Sequence, residues 1–171
     1  KLDGSVVTWG YSSNGGNSTG KGLSTAKVVS IVSGSYAFAA LTSTGTVITW
    51  GSSTSGGDSS SVSASLTNVV AIYSNNYAFA ALRNTGQVIT WGSASFGGNS
   101  SAVTNDISAN VVGVYQTQNA FAALRKDGKV IVWGDSTSGG AFYTSIPSGG
   151  TKAVTGGDLN SGIMSINNTV S

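Results

Sequence analysis

Residues 77–92 read YAFAALRNTGQVITWG, and the same wording returns at residues 36–51 (YAFAALTSTGTVITWG) and 119–134 (NAFAALRKDGKVIVWG). The four tryptophans mark the spacing, because they stand at positions 9, 50, 91 and 133, in steps of 41, 41 and 42 residues. A fixed period of this size is typical of proteins in which one supersecondary unit is repeated along the chain. The sequence therefore predicts a single all-β repeat domain over residues 1–171.

Each unit is predicted to contain three short β-strands and to bury its middle strand on both faces. In the first unit Val28–Val32, Tyr36–Leu41 and Thr46–Trp50 are short β-rich runs, and a Ser-Thr-Gly turn joins the last two. Both faces of Tyr36–Leu41 are apolar when alternate residues are grouped. The units span approximately residues 28–51, 69–92, 111–134 and 152–171. The predicted repeat core consists of Trp9, Phe38, Leu41, Trp50, Phe79, Leu82, Trp91, Phe121, Leu124 and Trp133.

The fourth unit lacks the strand that ends in Trp in the other units. Lys152–Thr155 stands in the place of the first strand and Gly162–Ile166 in the place of the second, but no Trp follows. A strand of the missing kind opens the chain as Val6–Trp9. We therefore predict that residues 5–10 complete the fourth unit and close a small β-propeller-like ring, which removes open strand edges. A pseudo-symmetric β-sandwich, with units paired two by two, is the alternative.

The repeated positions resemble those of a known family. They are Gly34, Ala39-Ala40-Leu41, Gly45, Val47, Trp50-Gly51 and Gly56 in the first unit, with copies in the next two. This order resembles the repeat of the regulator of chromosome condensation family, and the resemblance implies a β-propeller. Ala37, Ala78 and Ala120 stand where that family usually has His, so its nucleotide-exchange and chromatin roles are carried over to no position here. The wording also resembles that of repeat proteins from algae, a likeness that implies no function.

The composition argues against several classes of function. Charged residues make up 8% of the chain, Glu and His are absent, and the net charge of +2 is spread without a dense basic cluster. Nucleic-acid binding, which needs a basic face, is therefore not predicted. The chain has no Cys, which removes disulfides and Cys-based metal sites. No run of about 18 apolar residues that could span a membrane is present.

No set of residues suited to catalysis or metal binding is visible. General acid–base chemistry needs a His or two carboxylates in one pocket, and the Asp residues are scattered. Asp3 and Asp127 occupy Asp-Gly turns, a pair favoured for backbone geometry alone. The others, which lack the spacing of a calcium loop, are Asp58, Asp106, Asp135 and Asp158. We therefore predict no enzyme, no metal site and no cofactor.

The Gly-Gly pairs that begin at positions 15, 56, 97 and 139 recur once in each unit. They lack the Lys-Ser/Thr and the helix that follow a phosphate-binding loop. A structural turn at the same place in each unit is the predicted role.

Loop aromatics are the remaining candidates for contact with a partner, with burial between units as the alternative role. They are Tyr11, Phe96, Phe142 and Tyr143. Three sequons would accept N-glycans if the chain is secreted, and their acceptors are Asn17, Asn99 and Asn167. An extracellular or organelle-lumen location is favoured over the cytoplasm.

The low charge favours a structural protein that assembles with copies of itself into a shell, sheet or filament, because little repulsion keeps the copies apart. The alternative function is a binding module whose loops present Ser, Asn and aromatic groups to a protein partner or a glycan. The predicted partners are therefore a second copy of the chain, another protein or a glycan.

Overall fold

The computed structural model describes residues 1–143 and 153–154, and at 142–143 and 153–154 it describes the backbone alone. Over these ranges the chain is all-β, as predicted. The strands are β1 (Val28–Ser33), β2 (Ala37–Thr42), β3 (Val47–Gly51), β4 (Val69–Ser74), β5 (Ala78–Arg83), β6 (Val88–Gly92), β7 (Val111–Gln116), β8 (Ala120–Arg125), β9 (Val130–Gly134), β10 (Phe142–Tyr143) and β11 (Ala153–Val154). Short 3₁₀ helices lie at Ser12–Asn14, Ser53–Ser55, Ser60–Ser65, Ala94–Phe96, Ser101–Val103 and Ser136–Ser138.

The first nine strands form three antiparallel sheets, and each sheet is one repeat unit. The strand orders are β1-β2-β3, β4-β5-β6 and β7-β8-β9, so the AFAAL segment is the middle strand every time. The unit of three strands is thus confirmed, and strand bounds differ from the predicted ones by a single residue, as at β3. Strand β10 pairs with β11, with Phe142 opposite Val154.

Each sheet has a back face toward the preceding unit and a forward face toward the next. In the second unit the back face carries Phe79 and Trp91 and packs on the first unit. Its forward face carries Ala78, Ala80 and Leu82 and packs on the third unit. Both alanines are fully buried. Because alanine has no side chain beyond Cβ, neighbouring sheets approach closely, and the Phe and Trp rings fill the remaining space.

The same three-residue joint recurs where consecutive units meet, and we call it the Gly–Phe–Trp joint. At the first-to-second boundary the Trp91 indole Nε1 donates to the Gly56 carbonyl oxygen at 3.0 Å. The Phe79 ring stacks on Trp91, with ring centroids 5.4 Å apart. A Cβ atom at Gly56 would lie 2.5 Å from the Phe79 ring. The equivalent joints, with indole-to-carbonyl distances of 3.1 Å, are Gly15–Phe38–Trp50 and Gly97–Phe121–Trp133.

The first Gly of each pair ends a short 3₁₀ helix in the left-handed conformation, with φ of +99° at Gly15, +94° at Gly56 and +95° at Gly97. Only Gly adopts this conformation without steric cost. These Gly-Gly pairs are therefore structural turns, and each also accepts the indole hydrogen bond of the next unit.

Most of the predicted core residues are buried. Trp50, Phe79, Trp91, Phe121, Trp133, Leu41 and Leu82 are buried, while Phe38 and Leu124 are half-buried. Trp9 differs, because its side chain is 84% exposed.

Residues 5–9 form no strand in the structure, which corrects the prediction of a strand at Val6–Trp9. A strand is defined by pairing with a partner strand, and the segment predicted to supply that partner, Gly162–Ile166, lies outside the described residues. The fourth unit at 152–171 lies outside them too, apart from strand β11, and so does the predicted ring closure. The described units pack in series rather than two by two as in the sandwich alternative.

Candidate binding site on the turn face

Each unit has two turns, at opposite ends of its middle strand. The turns between first and second strands, with the loops that follow the third strands, form what we call the turn face. The turns are residues 34–36, 75–77 and 117–119, and the loops are 52–56, 93–97 and 135–139. The turns between second and third strands form the hairpin face, at residues 43–46, 84–87 and 126–129.

Turns of consecutive units are joined by backbone hydrogen bonds along the turn face. The Ser35 amide donates to the Asn76 carbonyl at 2.9 Å, and the Asn76 amide donates to the Gln118 carbonyl at 3.1 Å. The approach is so close that a Cβ atom at Gly34 would lie 2.9 Å from the carbonyl oxygens of Asn75 and Asn76. The turn face is therefore a continuous ridge whose backbone is held from unit to unit.

Asn75 fixes the turn and the following loop of the second unit to each other. Its Oδ1 accepts from the amides of Tyr77 at 3.0 Å and Ala78 at 2.8 Å. Its Nδ2 donates to the Phe96 carbonyl at 2.7 Å, and the residue is 4% exposed. Thr117 makes the equivalent link in the third unit. Sequence reasoning missed Asn75, although an Asn at the start of a turn is a known signal for such bonds.

Three aromatic rings lie in contact along this ridge, and we call them the aromatic row. Tyr36 stacks on Tyr77 of the next unit, with centroids 5.9 Å apart and planes 27° apart. Tyr77 in turn contacts Phe96 of its own unit at 4.7 Å. Tyr36 is 41% exposed, and the other two rings are half-buried. In the third unit Asn119 replaces the tyrosine, so the row ends there.

The structure thus brings one predicted contact residue, Phe96, into a cluster with two tyrosines that sequence reasoning did not select. Tyr36 and Tyr77 open the middle-strand segment, so they are predicted as strand residues rather than contact residues. The structure starts both strands one residue later, which leaves these rings in the turns.

The other predicted contact residues do not join the row. Tyr11 is 76% exposed in the loop before Gly15. Phe142 and Tyr143 lie in β10, and their side chains are outside the described residues.

The sequon residues Asn17 and Asn99 are exposed and have a structural role in this fold. Their Oδ1 atoms accept from the amides of Thr19 and Ser101, at 2.9 Å each. Asp58 makes the same contact with the Ser60 amide. This shared turn explains why Asn or Asp follows the Gly-Gly pair in these three units. Glycosylation stays a prediction, and Asn167 lies outside the described residues.

Charges are concentrated on the hairpin face and nearly absent from the turn face. Arg83, Arg125, Lys126 and Lys129 lie in or beside hairpin turns, whereas Asp135 is the single charged residue in the described turns and loops of the turn face. In the part of the chain that the structure describes, no group of three or more potential metal ligands occurs. The described residues also include no helix that is long and apolar enough to cross a membrane.

The exposed carboxylates accept local hydrogen bonds that favour their charged form. The pKa of Asp127 is held below its usual range by hydrogen bonds from Arg125 and Lys129, and the two side chains Arg125 and Asp127 form an ion pair at 3.3 Å. Hydrogen bonds from Ser60 and Thr137 lower the pKa of Asp58 and Asp135 in the same way.

These shifts predict how the thermal unfolding midpoint varies with pH. A carboxylate whose pKa is lowered in the folded state stabilises the fold above its unfolded pKa of about 3.9, and this contribution is lost as the pH falls through the folded value. With no His in the chain, we expect a constant midpoint from about pH 5 to 7 and a decline below about pH 4.

Circular dichroism melts across this pH range provide the measurement. Asp127→Asn should show a smaller decline in acid than the unmodified chain, since one of the shifted carboxylates is gone. A midpoint that moves markedly between pH 5 and 7 would contradict the assignment.

Comparison with known proteins connects this geometry to a repeat family. Residues 28–56, which run from β1 to the first glycine of the Gly-Gly pair, match the family described as Regulator of chromosome condensation (RCC1) repeat. The chain resembles the RCC1 repeat family, as predicted from its Gly, Ala-Ala-Leu and Trp-Gly positions. Among curated proteins none matches the chain.

Three solved structures are similar to parts of the chain at low sequence identity. Human WBSCR16 is 19% identical with a TM-score of 0.47, over 71% of this chain and 38% of that chain. The ectodomain of the Physcomitrella patens receptor kinase CR4 is 21% identical with a TM-score of 0.45, over 65% of this chain and 30% of that chain. A chain in the structure of Kap60 bound to yeast RCC1 (Prp20) is 18% identical with a TM-score of 0.49, over 73% and 33%. The chain thus spans about a third of the length of these structures.

Proposed function

We propose that this chain is a non-enzymatic protein-binding module whose turn face holds an uncharged, extended segment of a partner protein. The observation that carries the proposal is the aromatic row, in which Tyr36, Tyr77 and Phe96 lie in contact on a ridge of hydrogen-bonded turns. Tyrosine rings held in fixed positions offer large contact areas at low entropic cost.

The electrostatics of the turn face support an uncharged partner segment. The aromatic row and the cations of the hairpin face lie at opposite ends of the strands. The polar side chains in the turns beside the rings are neutral, namely Ser35, Asn76 and Gln118. Extended segments, such as polyproline II helices, dock on aromatic surfaces and use neighbouring amides as hydrogen-bond partners. A strongly charged segment would gain little from such a surface.

Selection of peptides from a random 12-residue library displayed on phage tests the proposal. The selection is made against the intact chain, with counter-selection against Tyr36→Ser. We expect uncharged peptides rich in proline or aliphatic residues, with binding at least about tenfold weaker for Tyr36→Ser, which corresponds to about 1.4 kcal/mol.

Val130→Ser is the matched control, because Val130 is 44% exposed, close to the 41% of Tyr36, and begins β9 next to the hairpin face. This variant should bind the selected peptides like the intact chain. Selected peptides that bind Tyr36→Ser as tightly as the intact chain would argue against the turn face as the site. Uniformly charged peptides would argue against it as well. If the chain is retained on a glycan array and Tyr36→Ser is not, the ligand of the turn face is a glycan rather than a peptide.

Self-association is the second candidate function, and a different observation favours it. The N-terminal segment exposes Val7 at 57%, Trp9 at 84% and Tyr11 at 76%. Large apolar side chains exposed side by side mark an interaction surface, and the small net charge of +2 opposes association weakly. Closure of a four-unit ring through residues 5–10 is the intrachain alternative for covering the same surface.

A further inference from the structure

The turn before the middle strand has the same backbone pairing in the first two units. The Gly34 amide donates to the Ala37 carbonyl at 2.9 Å, as the Asn75 amide donates to the Ala78 carbonyl at 3.0 Å. The two turns differ in the residue that opens them, which is a glycine in the first unit and an asparagine in the second.

The loop that faces this turn also has the same shape in both units. The 3₁₀ helices Ser53–Ser55 and Ala94–Phe96 follow residues with φ of −63° and −65°, each with ψ of 121°, and end at glycines with φ of +94° and +95°. The loop is tied to the turn by a serine amide that donates to the tyrosine carbonyl, at 2.8 Å in the first unit and 2.9 Å in the second. The backbone groups of turn and loop are therefore arranged alike in the two units.

In the second unit the carboxamide of Asn75 lies between turn and loop. Its Oδ1 accepts from the amides of Tyr77 and Ala78, and its Nδ2 donates to the carbonyl of Phe96. Two amide donors and one carbonyl acceptor thus surround one primary carboxamide, which is a hydrogen-bond partner for all three.

The third unit meets the equivalent groups with a hydroxyl. The Thr117 Oγ1 accepts from the Asn119 and Ala120 amides at 3.4 and 3.1 Å, and donates to the Ser138 carbonyl at 2.8 Å. Two units therefore supply, from their own sequence, a side chain that both accepts and donates at this place.

The first unit has the same three backbone groups and no side chain of its own to meet them. Gly34 stands at the place of Asn75. Among the described residues nothing accepts from the amides of Tyr36 and Ala37, and nothing donates to the carbonyl of Ser55. Ala37 is fully buried and Ser55 is 7% exposed. Buried backbone groups require partners, so these three define a site for a group that brings one acceptor and one donor.

Position 34 itself cannot supply that group without moving the next turn. A Cβ atom at Gly34 would lie 2.9 Å from the carbonyl oxygens of Asn75 and Asn76. The site is also less covered than its equivalent in the second unit, because Ser55 stands where that unit has a phenylalanine. The neighbouring Tyr36 is 41% exposed. A group from outside the unit can therefore approach beside the first ring of the aromatic row.

We propose that the Tyr36 and Ala37 amides and the Ser55 carbonyl bind a primary carboxamide, the side chain of an Asn or Gln residue in the partner segment. Its oxygen accepts from both amides and its NH₂ group donates to the carbonyl, as the Asn75 side chain does in the second unit. A carboxylate would place an oxygen against the Ser55 carbonyl, and an aliphatic side chain would leave all three groups unpaired. The inference rests on the proposed function, because it names a chemical group of the segment held on the turn face.

Acetamide, a free primary carboxamide, is the first probe. It is titrated into the isotope-labelled intact chain at neutral pH and followed by the amide signals in nuclear magnetic resonance spectra. We expect the Tyr36 and Ala37 amides to shift along one saturating curve. The Tyr77 and Ala78 amides, which already have Asn75 as a partner, should not move. Acetate and acetone lack the N–H donor and should bind at least about tenfold more weakly.

Asn75→Ala is the matched variant, because it uncovers the equivalent groups in the second unit. In this variant acetamide should shift the Tyr77 and Ala78 amides as well. Circular dichroism melts check that the variant folds, and the titration of the intact chain decides the proposal if it does not.

The peptides selected on the turn face separate this inference from the proposed function. We expect them to carry an Asn or Gln whose replacement by Asp or by Leu weakens binding at least about tenfold. Peptides that require Tyr36 but tolerate both replacements would overturn the carboxamide site and leave the proposed function standing. Acetamide binding with no peptide selected would support the site and contradict the proposed function. Equal shifts of the two amides with acetamide and acetate, or no shift with either, would overturn the carboxamide site.

Discussion

Trp91→Ala is expected to lower the free energy of unfolding by about 3–5 kcal/mol, the usual cost of truncating a large buried aromatic side chain. Trp91 is 3% exposed and stacks on Phe79. Its indole also donates to the Gly56 carbonyl, so the variant leaves both a cavity between two units and a carbonyl without its partner. Urea unfolding followed by circular dichroism, at low protein concentration, measures the change.

Trp9→Ala is the matched control for this prediction. The residue has the same place in the repeat, but its side chain is 84% exposed. The same substitution should therefore change the free energy of unfolding by no more than about 0.5 kcal/mol, as at ordinary surface positions. Equal losses of unfolding free energy for Trp9→Ala and Trp91→Ala would contradict the exposure of Trp9 and the burial of Trp91. The loss of unfolding free energy for Trp91→Phe should lie between the losses for Trp9→Ala and Trp91→Ala, because this variant keeps an aromatic ring and loses the indole N–H donor.

Gly56→Ala is expected to lower the free energy of unfolding by about 2–5 kcal/mol through two separate effects. At φ of +94° a non-glycine residue is strained, by about 1–2 kcal/mol. The added Cβ would lie 2.5 Å from the Phe79 ring, and relieving such overpacking costs a further 1–3 kcal/mol, roughly. The Phe79 ring cannot retreat freely, because it is stacked on Trp91.

Gly20→Ala separates these two effects. Gly20 has a φ of +79° and no atom within 4 Å of an added Cβ, so this variant carries the backbone strain without the collision. It should cost about 1–2 kcal/mol, and the difference between the two variants measures the packing of the joint. Both variants are compared in the same urea titrations. Indistinguishable losses would show that the joint relaxes without cost.

The period of the sequence by itself determined the number and type of strands in the three described units. Alternation along AFAAL and the Gly turn after it are local properties, and a strand with two apolar faces must be covered on both. The pairs Phe38–Trp50, Phe79–Trp91 and Phe121–Trp133 follow from the same register. The resemblance to RCC1 repeats also depends on these positions, which is why it was visible in the sequence.

Only the tertiary structure decided which groups meet between units. The bond from Trp91 to Gly56 joins residues 35 positions apart, and the contact of Tyr36 with Tyr77 depends on where one sheet sits on the next. The exposure of Trp9 has the same origin, since its repeat position equals that of Trp50 and only its neighbours differ. Periodicity specifies the structure of a unit, because that structure depends on residues close in the chain. The contacts between units and the exposure of a side chain depend on which surfaces are covered by residues distant in the sequence. A local sequence pattern does not encode this coverage.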